Sequence, residues 1–116
     1  LVVMGFDYGS LTLKQEKTGE QRLVLTKGNG PEKEEEEETS VAIDQSDIYL
    51  RVTVKEGAEC FFSYSLDGES FHSIGDQWIA KKGQWIGAKV GIFSTNLLQK
   101  NSKGYADFDW VLVEEI

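Results

Sequence analysis

Ile48-Tyr49-Leu50-Arg51-Val52-Thr53-Val54-Lys55 decides the fold class. Its even positions are all aliphatic, and its odd positions are Tyr, Arg, Thr and Lys. A period of two sends successive side chains to opposite faces, so this is a half-buried antiparallel strand with its polar residues outward. Gly57 closes it. Residues 59–66 follow, rich in aromatic and β-forming types, with Cys60, Phe62, Tyr64 and Leu66 on one face. Phe61, Ser63 and Ser65 take the other face. Asp67-Gly68 then predicts a two-residue hairpin, because a type I′ turn needs positive φ at both central positions. The chain returns as a strand over 69–74.

Outward from this hairpin the same period recurs. Residues 9–17 and 21–27 read as a second hairpin joined at Thr18-Gly19-Glu20. Short strands are predicted at 41–44 and 85–93, and a last one at 105–114. No window of useful length shows helical spacing, although 95–100 has room for a single turn. One proline and twelve glycines suit tight β connections better than helices. Seven or eight short strands at this spacing predict an all-β, antiparallel β-sandwich of jelly-roll type. No repeat of blade length is present, which argues against a propeller within this segment.

At 116 residues, one domain over 1–116 is expected. Hydrophobic residues at 40 % and aromatics at 11 % are enough for a packed core. Twelve Lys and Arg against twenty Asp and Glu leave a net charge of −8. That balance argues against a nucleic-acid partner, which calls for a basic surface, and equally against an anionic membrane surface. No apolar run approaches the ~20 residues of a membrane helix. One cysteine, Cys60, excludes an internal disulfide and a multi-cysteine zinc site. The apolar opening Leu1-Val2-Val3-Met4 lacks the basic lead of a signal peptide. The chain does not begin with Met, and it reads as a piece of something longer.

The charge is unevenly placed. Residues 32–38 hold six Glu and one Lys, directly after the turn cluster Gly28-Asn29-Gly30-Pro31. Like charges in a row cannot face a core, so a solvated hairpin tip is expected there. A calcium site is the sharper alternative, but calcium needs oxygens held in a shaped loop, and a plain Glu run supplies no shape.

Other candidate chemistry is weighed in the same way. Asp107 and Asp109 sit at i and i+2 on the predicted last strand, with Cβ atoms about 6–7 Å apart. Paired carboxylates are how glycosidases protonate a leaving group and stabilise an oxocarbenium ion. The plainer reading makes them outward polar residues opposite a buried Phe108 and Trp110. His72, with Ser70, Ser73 and Asp76 close in sequence, suggests a hydrolase triad. Neighbours on one strand do not supply an orienting acid and an oxyanion hole, so a surface histidine is expected instead. Cys60 shares the apolar face with Phe62 and reads as an inert core thiol. No Gly-rich phosphate loop precedes a helix. Trp78 and Trp85 flank Lys81-Lys82-Gly83 and are candidate platforms for sugar rings, which stack on exposed π faces. The competing reading packs each of them across the sandwich. No cofactor or metal is called for.

One ordered set of motifs carries a resemblance. Ile48-Tyr49-Leu50-Arg51-Val52 is followed by Phe62-Ser63-Tyr64-Ser65-Leu66-Asp67-Gly68. Then come Gly83-Gln84-Trp85-Ile86-Gly87-Ala88-Lys89-Val90-Gly91 and Ala106-Asp107-Phe108-Asp109-Trp110. Together they resemble the C-terminal concanavalin A-like β-sandwich domain of glycoside hydrolase family 43 β-xylosidases and α-L-arabinofuranosidases. The resemblance covers essentially the whole chain. The acidic run at 32–38 is not part of the pattern.

The resemblance implies that the chain is the C-terminal part of a larger sandwich domain, without its first strands. It implies a catalytic propeller in the same bacterial protein as the main partner, and a xylo- or arabino-oligosaccharide as substrate. The propeller's catalytic acids have no positions here, so the chain itself is expected to be non-catalytic. A loop aromatic in the family reaches the rim of the substrate pocket, and Trp85 is its positional match. Such a residue excludes water and shapes a pocket rather than moving protons. A stand-alone carbohydrate-binding module using Trp78 and Trp85 is the alternative. Homo-oligomerisation stays open, and a periplasmic or secreted location is favoured over a cytoplasmic one.

Overall fold

The computed structural model describes residues 1–5, 7–16, 18–28, 35–45, 47–76, 78–79, 89–94, 107–108 and 110–114. Within them the regular structure is all strand. In chain order the strands are β1 (Val2–Met4), β2 (Tyr8–Gln15), β3 (Gln21–Gly28), β4 (Glu35–Ile43), β5 (Tyr49–Lys55), β6 (Glu59–Ser65), β7 (His72–Ser73), β8 (Trp78–Ile79) and β9 (Lys89–Gly91).

Two antiparallel sheets result. The first has five strands in the order β4-β3-β2-β1-β9. The second places β5 on one side of β6, and β7 and β8 on the other. β7 meets β6 at Ser63 and Tyr64, while β8 meets it at Glu59 and Cys60. The two short strands therefore cover opposite ends of one β6 edge. Between them, the Ile74 N–H still donates to the Phe62 carbonyl at 3.0 Å.

The core follows from alternation. Val3, Leu11, Leu23, Leu25 and Ile43 come from the first sheet, and all are buried. Cys60, Phe62, Ile74 and Trp78 come from the second. Leu50, Val52 and Tyr64 pack against this cluster from the same face. Close approach of the sheets depends on Gly9. A Cβ there would lie 3.3 Å from both the Phe62 and Trp78 rings. The expected sandwich and its first hairpin are thus present, with Gln15 opposite Gln21 across the turn around Gly19.

Three expectations change. The Asp67-Gly68 turn is not a two-residue I′ hairpin, because Gly68 has φ +82° whereas Asp67 does not have positive φ. β6 and β7 pair through Ser63 with Ser73 and Tyr64 with His72, which leaves a longer loop over 66–71. Side-chain hydrogen bonds of Asp67 and Ser65 organise that loop, and Leu66 lies in it, exposed, rather than on the inner face.

Secondly, the acidic run is more than a hairpin tip. Glu35, Glu36, Glu37 and Glu38 open β4, which is far longer than the short strand predicted at 41–44. Residues 29–34 lie outside the described residues. A bulge between Leu25 and Thr26 leaves Glu38 without a register partner. Lys27 pairs with Glu38 at 2.8 Å, and Lys14 with Glu37 at 2.9 Å.

Thirdly, 107–108 and 110–114 form no strand. Alternating sequence becomes a strand only where a neighbouring edge supplies ladder hydrogen bonds. Among the described residues no edge does so for this segment. Phe108 and Trp110, expected in the core, are exposed as a result, and Trp110 keeps 60 % of its surface. The predicted strand at 85–93 appears as β9, with 85–88 outside the described residues. The single turn at 95–100 also lies outside them.

Candidate functional site

The sequence-derived candidates separate once placed in the sandwich. Trp78 on β8 is 9 % exposed and belongs to the core cluster, opposite Cys60 on β6. Its ring packs between the sheets and offers no platform to a sugar, which corrects the stacking role considered for it. The reason is register: pairing with the inward Cys60 turns Trp78 inward as well. Trp85 lies outside the described residues, as does Asp109. Asp107 is exposed and on no strand, so the shared-face spacing inferred for the two acids has no ladder behind it.

His72 is exposed on β7, with its ring 5.5 Å from that of Tyr64. Among the described residues no hydrogen bond joins it to Ser70, Ser73 or Asp76. Cys60 is buried, and its Sγ lies 3.5 Å from the Ala58 carbonyl. Among the described residues no three His, Cys, Asp or Glu side chains group as metal ligands. No helix among them is long and apolar enough to cross a membrane.

Two polar arrangements have well-defined chemistry. The Tyr8 hydroxyl donates to the Glu35 carboxylate. Burial of the phenol pushes its pKa up to about 12, and the hydrogen bond and negative charge of Glu35 add to the shift. Tyr8 lies directly across from Gly28, where a Cβ would fall 2.2 Å from the ring. The missing side chain makes room for the aromatic. In the 66–71 loop, the Asp67 carboxylate accepts from the N–H groups of Ser70 and Glu69 at 2.9 and 2.8 Å and from the Ser65 hydroxyl at 2.9 Å. These donors favour the charged form and hold its pKa at about 2.

A shallow groove of about 670 Å³ lies at one end of the first sheet, lined by residues such as Gly19, Arg22, Asp44 and Gln45. Among the described residues no aromatic side chain lines it.

The outer face of the second sheet is different. Register places Tyr49, Arg51, Thr53 and Lys55 on the same side as Ser65, Ser63, Phe61 and Glu59. Ser73 on β7 extends this side from Ser63. The Arg51 guanidinium lies 3.5 Å over the centre of the Phe71 ring, and the Lys55 ammonium 5.1 Å from that of Phe61. Tyr49 holds Trp110 with ring centroids 5.9 Å apart and planes tilted by 49°. The outward alternation of 49–55 was visible in the sequence. The arrival of Phe71 and Trp110 beside it was not, because neither is adjacent in the chain.

Comparison with known proteins bears on the whole chain. The family model described as "Beta xylosidase C-terminal Concanavalin A-like domain" matches residues 1–114. A protein named Beta-xylosidase from Formosa agariphila is 35 % identical over 68 residues. That match takes in 59 % of this chain and 11 % of the relative, so the chain corresponds to a small part of that protein's length. No solved structure matches.

Proposed function

Because the chain belongs to the family of C-terminal concanavalin A-like domains of β-xylosidases, we propose that it is the non-catalytic accessory sandwich of a glycoside hydrolase family 43 enzyme acting on xylan or arabinan. The match across residues 1–114 is the observation that carries this reading. In it, the sandwich is the later part of a larger sandwich domain and packs on a catalytic propeller of the same polypeptide. The propeller supplies the catalytic acids, and the sandwich helps to close the pocket around a xylo- or arabino-oligosaccharide.

Two physical features support a docked rather than a free domain. Val90, Ile92 and Phe93 are exposed at and after β9, and Val111, Leu112 and Val113 are exposed in the last described segment, Val113 by 90 %. Large apolar side chains left exposed in this way are a usual mark of an interface. The net charge of −8 also leaves the domain poorly suited to a densely charged polyanion such as a nucleic acid, in keeping with a partner that is protein and a substrate that is sugar.

Trp85 is the residue assigned to the pocket rim, on its position before Gly87-Ala88-Lys89-Val90-Gly91. The test is Trp85→Ala in the full-length protein, assayed on a short xyloside. A fall in kcat/KM of about tenfold, equivalent to about 1.4 kcal/mol in the barrier, is expected with the melting temperature unchanged. Unaltered kinetics would remove Trp85 from the rim.

A further inference from the structure

The outer face of the second sheet carries chemistry that the docked-domain reading does not use. We propose that Arg51 and Trp110 on this face form a binding surface for sugar chains that bear carboxylate groups.

Arg51 and Tyr49 are two positions apart on β5, so their Cα atoms are separated by about 6.5 Å. Each is backed by a ring from elsewhere in the chain. Phe71 lies 3.5 Å beneath the Arg51 guanidinium, and Trp110 packs on Tyr49. Stacking restricts the guanidinium without consuming its N–H groups, which can pair with a carboxylate as a fork. Among the described residues no carboxylate lies within ion-pairing distance of Arg51. An exposed, unneutralised guanidinium held on a ring is notable in a chain of net charge −8.

The neighbouring side chains suit a sugar. Trp110 keeps 60 % of its surface where it packs on Tyr49, two positions along β5 from Arg51. The apolar C–H face of a pyranose stacks on such a surface. Ser63 and Ser73 lie across the sheet from Arg51 and offer hydroxyls at the same level. Glu59, the one acid in the paired rows of this face, sits opposite Lys55, and Asp67, in the loop whose Gly68 backs onto the Tyr49 ring, accepts from that loop's own Glu69 and Ser70 N–H groups. The attractive site is therefore the Arg51 end. A nucleic acid fits poorly, since one fork on an acidic domain does not offset a dense phosphate backbone. A sugar chain with sparse carboxylates asks for one cation beside one ring, which is what this face presents.

The choice of sugar over other carboxylates rests on the glycosidase reading. The test separates the two claims. Calorimetric titration of the full-length protein would use a neutral xylo-oligosaccharide and one of equal length carrying a glucuronate branch. The branched ligand is expected to bind more tightly, with the difference shrinking as salt is raised. Arg51→Gln should weaken it by about tenfold or more while leaving the neutral ligand unaffected. Arg51→Lys should restore only part of that loss, since a point charge replaces the fork. Trp110→Ala should weaken both ligands. Both positions are exposed, and melting curves would establish that each variant folds. Equal binding of the two ligands, or an Arg51→Gln variant that binds the branched ligand normally, would overturn the proposal. So would preferential binding of a polyglutamate peptide. Release of pentose from a neutral xyloside, measured separately on the unsubstituted protein, decides the glycosidase reading whichever way the titration falls.

Discussion

Asp67 accepts three hydrogen bonds through one carboxylate oxygen, from Ser65, Glu69 and Ser70. The Ser65 hydroxyl in turn accepts from the Gly68 N–H at 2.8 Å. A tight two-residue turn is thereby replaced by a loop built on side chains, which compete for the backbone donors of the turn. Because the folded pKa is lowered from 3.8 to about 2, the contribution of Asp67 is present above about pH 4 and is lost as the pH falls toward 2. The protection factors of the Glu69 and Ser70 amides, corrected for intrinsic exchange at each pH, should therefore fall across that window, before the core strands open. Asp67→Asn should abolish this pH dependence, as read by hydrogen-exchange NMR. Protection that stays constant from pH 4 to pH 2 would show that the carboxylate does not hold the loop.

At the scale of the element, β3 is the strand that most determines stability. It lies between β2 and β4, and Leu23 and Leu25 are fully buried beneath it. Leu25 also meets the second sheet's side of the core, since a Cβ at Gly75 would fall 2.2 Å from its side chain. Leu25→Ala should lower unfolding free energy by about 2–5 kcal/mol, through lost burial and a residual cavity. Glu36→Gln, on exposed β4, should change it by no more than about 0.5 kcal/mol. Urea denaturation of the two variants checks the contrast. β4 itself is the edge of the first sheet, and its four glutamates place charge along an edge that would otherwise invite another strand.

For the whole molecule, two kinds of surface contrast. The acidic edge at β4 repels other chains, whereas Val90 on β9 and, elsewhere, residues 111–113 present apolar side chains to solvent. Residues 1–116 expressed alone should therefore bind a hydrophobic dye and self-associate, and Leu112→Ser with Val113→Ser should reduce both. Fluorescence and light scattering read the outcome. A monodisperse, dye-silent chain would count against an interface at this surface.

Much of the sandwich was legible without coordinates. The alternation of 48–55 and 59–65 placed Leu50, Val52, Cys60 and Phe62 on one face, and these pack inward. That follows because the two-residue period is a property of extended backbone and needs no partner. Which faces are covered was decided only in three dimensions. Trp78 went inward because β8 pairs with Cys60, and Trp110 stayed outward because no edge pairs with its segment among the described residues. Local sequence had suggested the reverse, with Trp110 buried on an alternating strand and Trp78 a candidate platform beside Lys81-Lys82-Gly83. Likewise Tyr49 and Arg51 were visible as outward residues, but Phe71 beneath Arg51 and Trp110 on Tyr49 arrive from 20 and 61 positions further along the chain. By itself, then, the sequence determined strand periodicity and the identity of the two faces, which are set by covalent geometry. The tertiary structure alone decided which aromatic is core and which is surface, because burial depends on contacts between residues far apart in the chain.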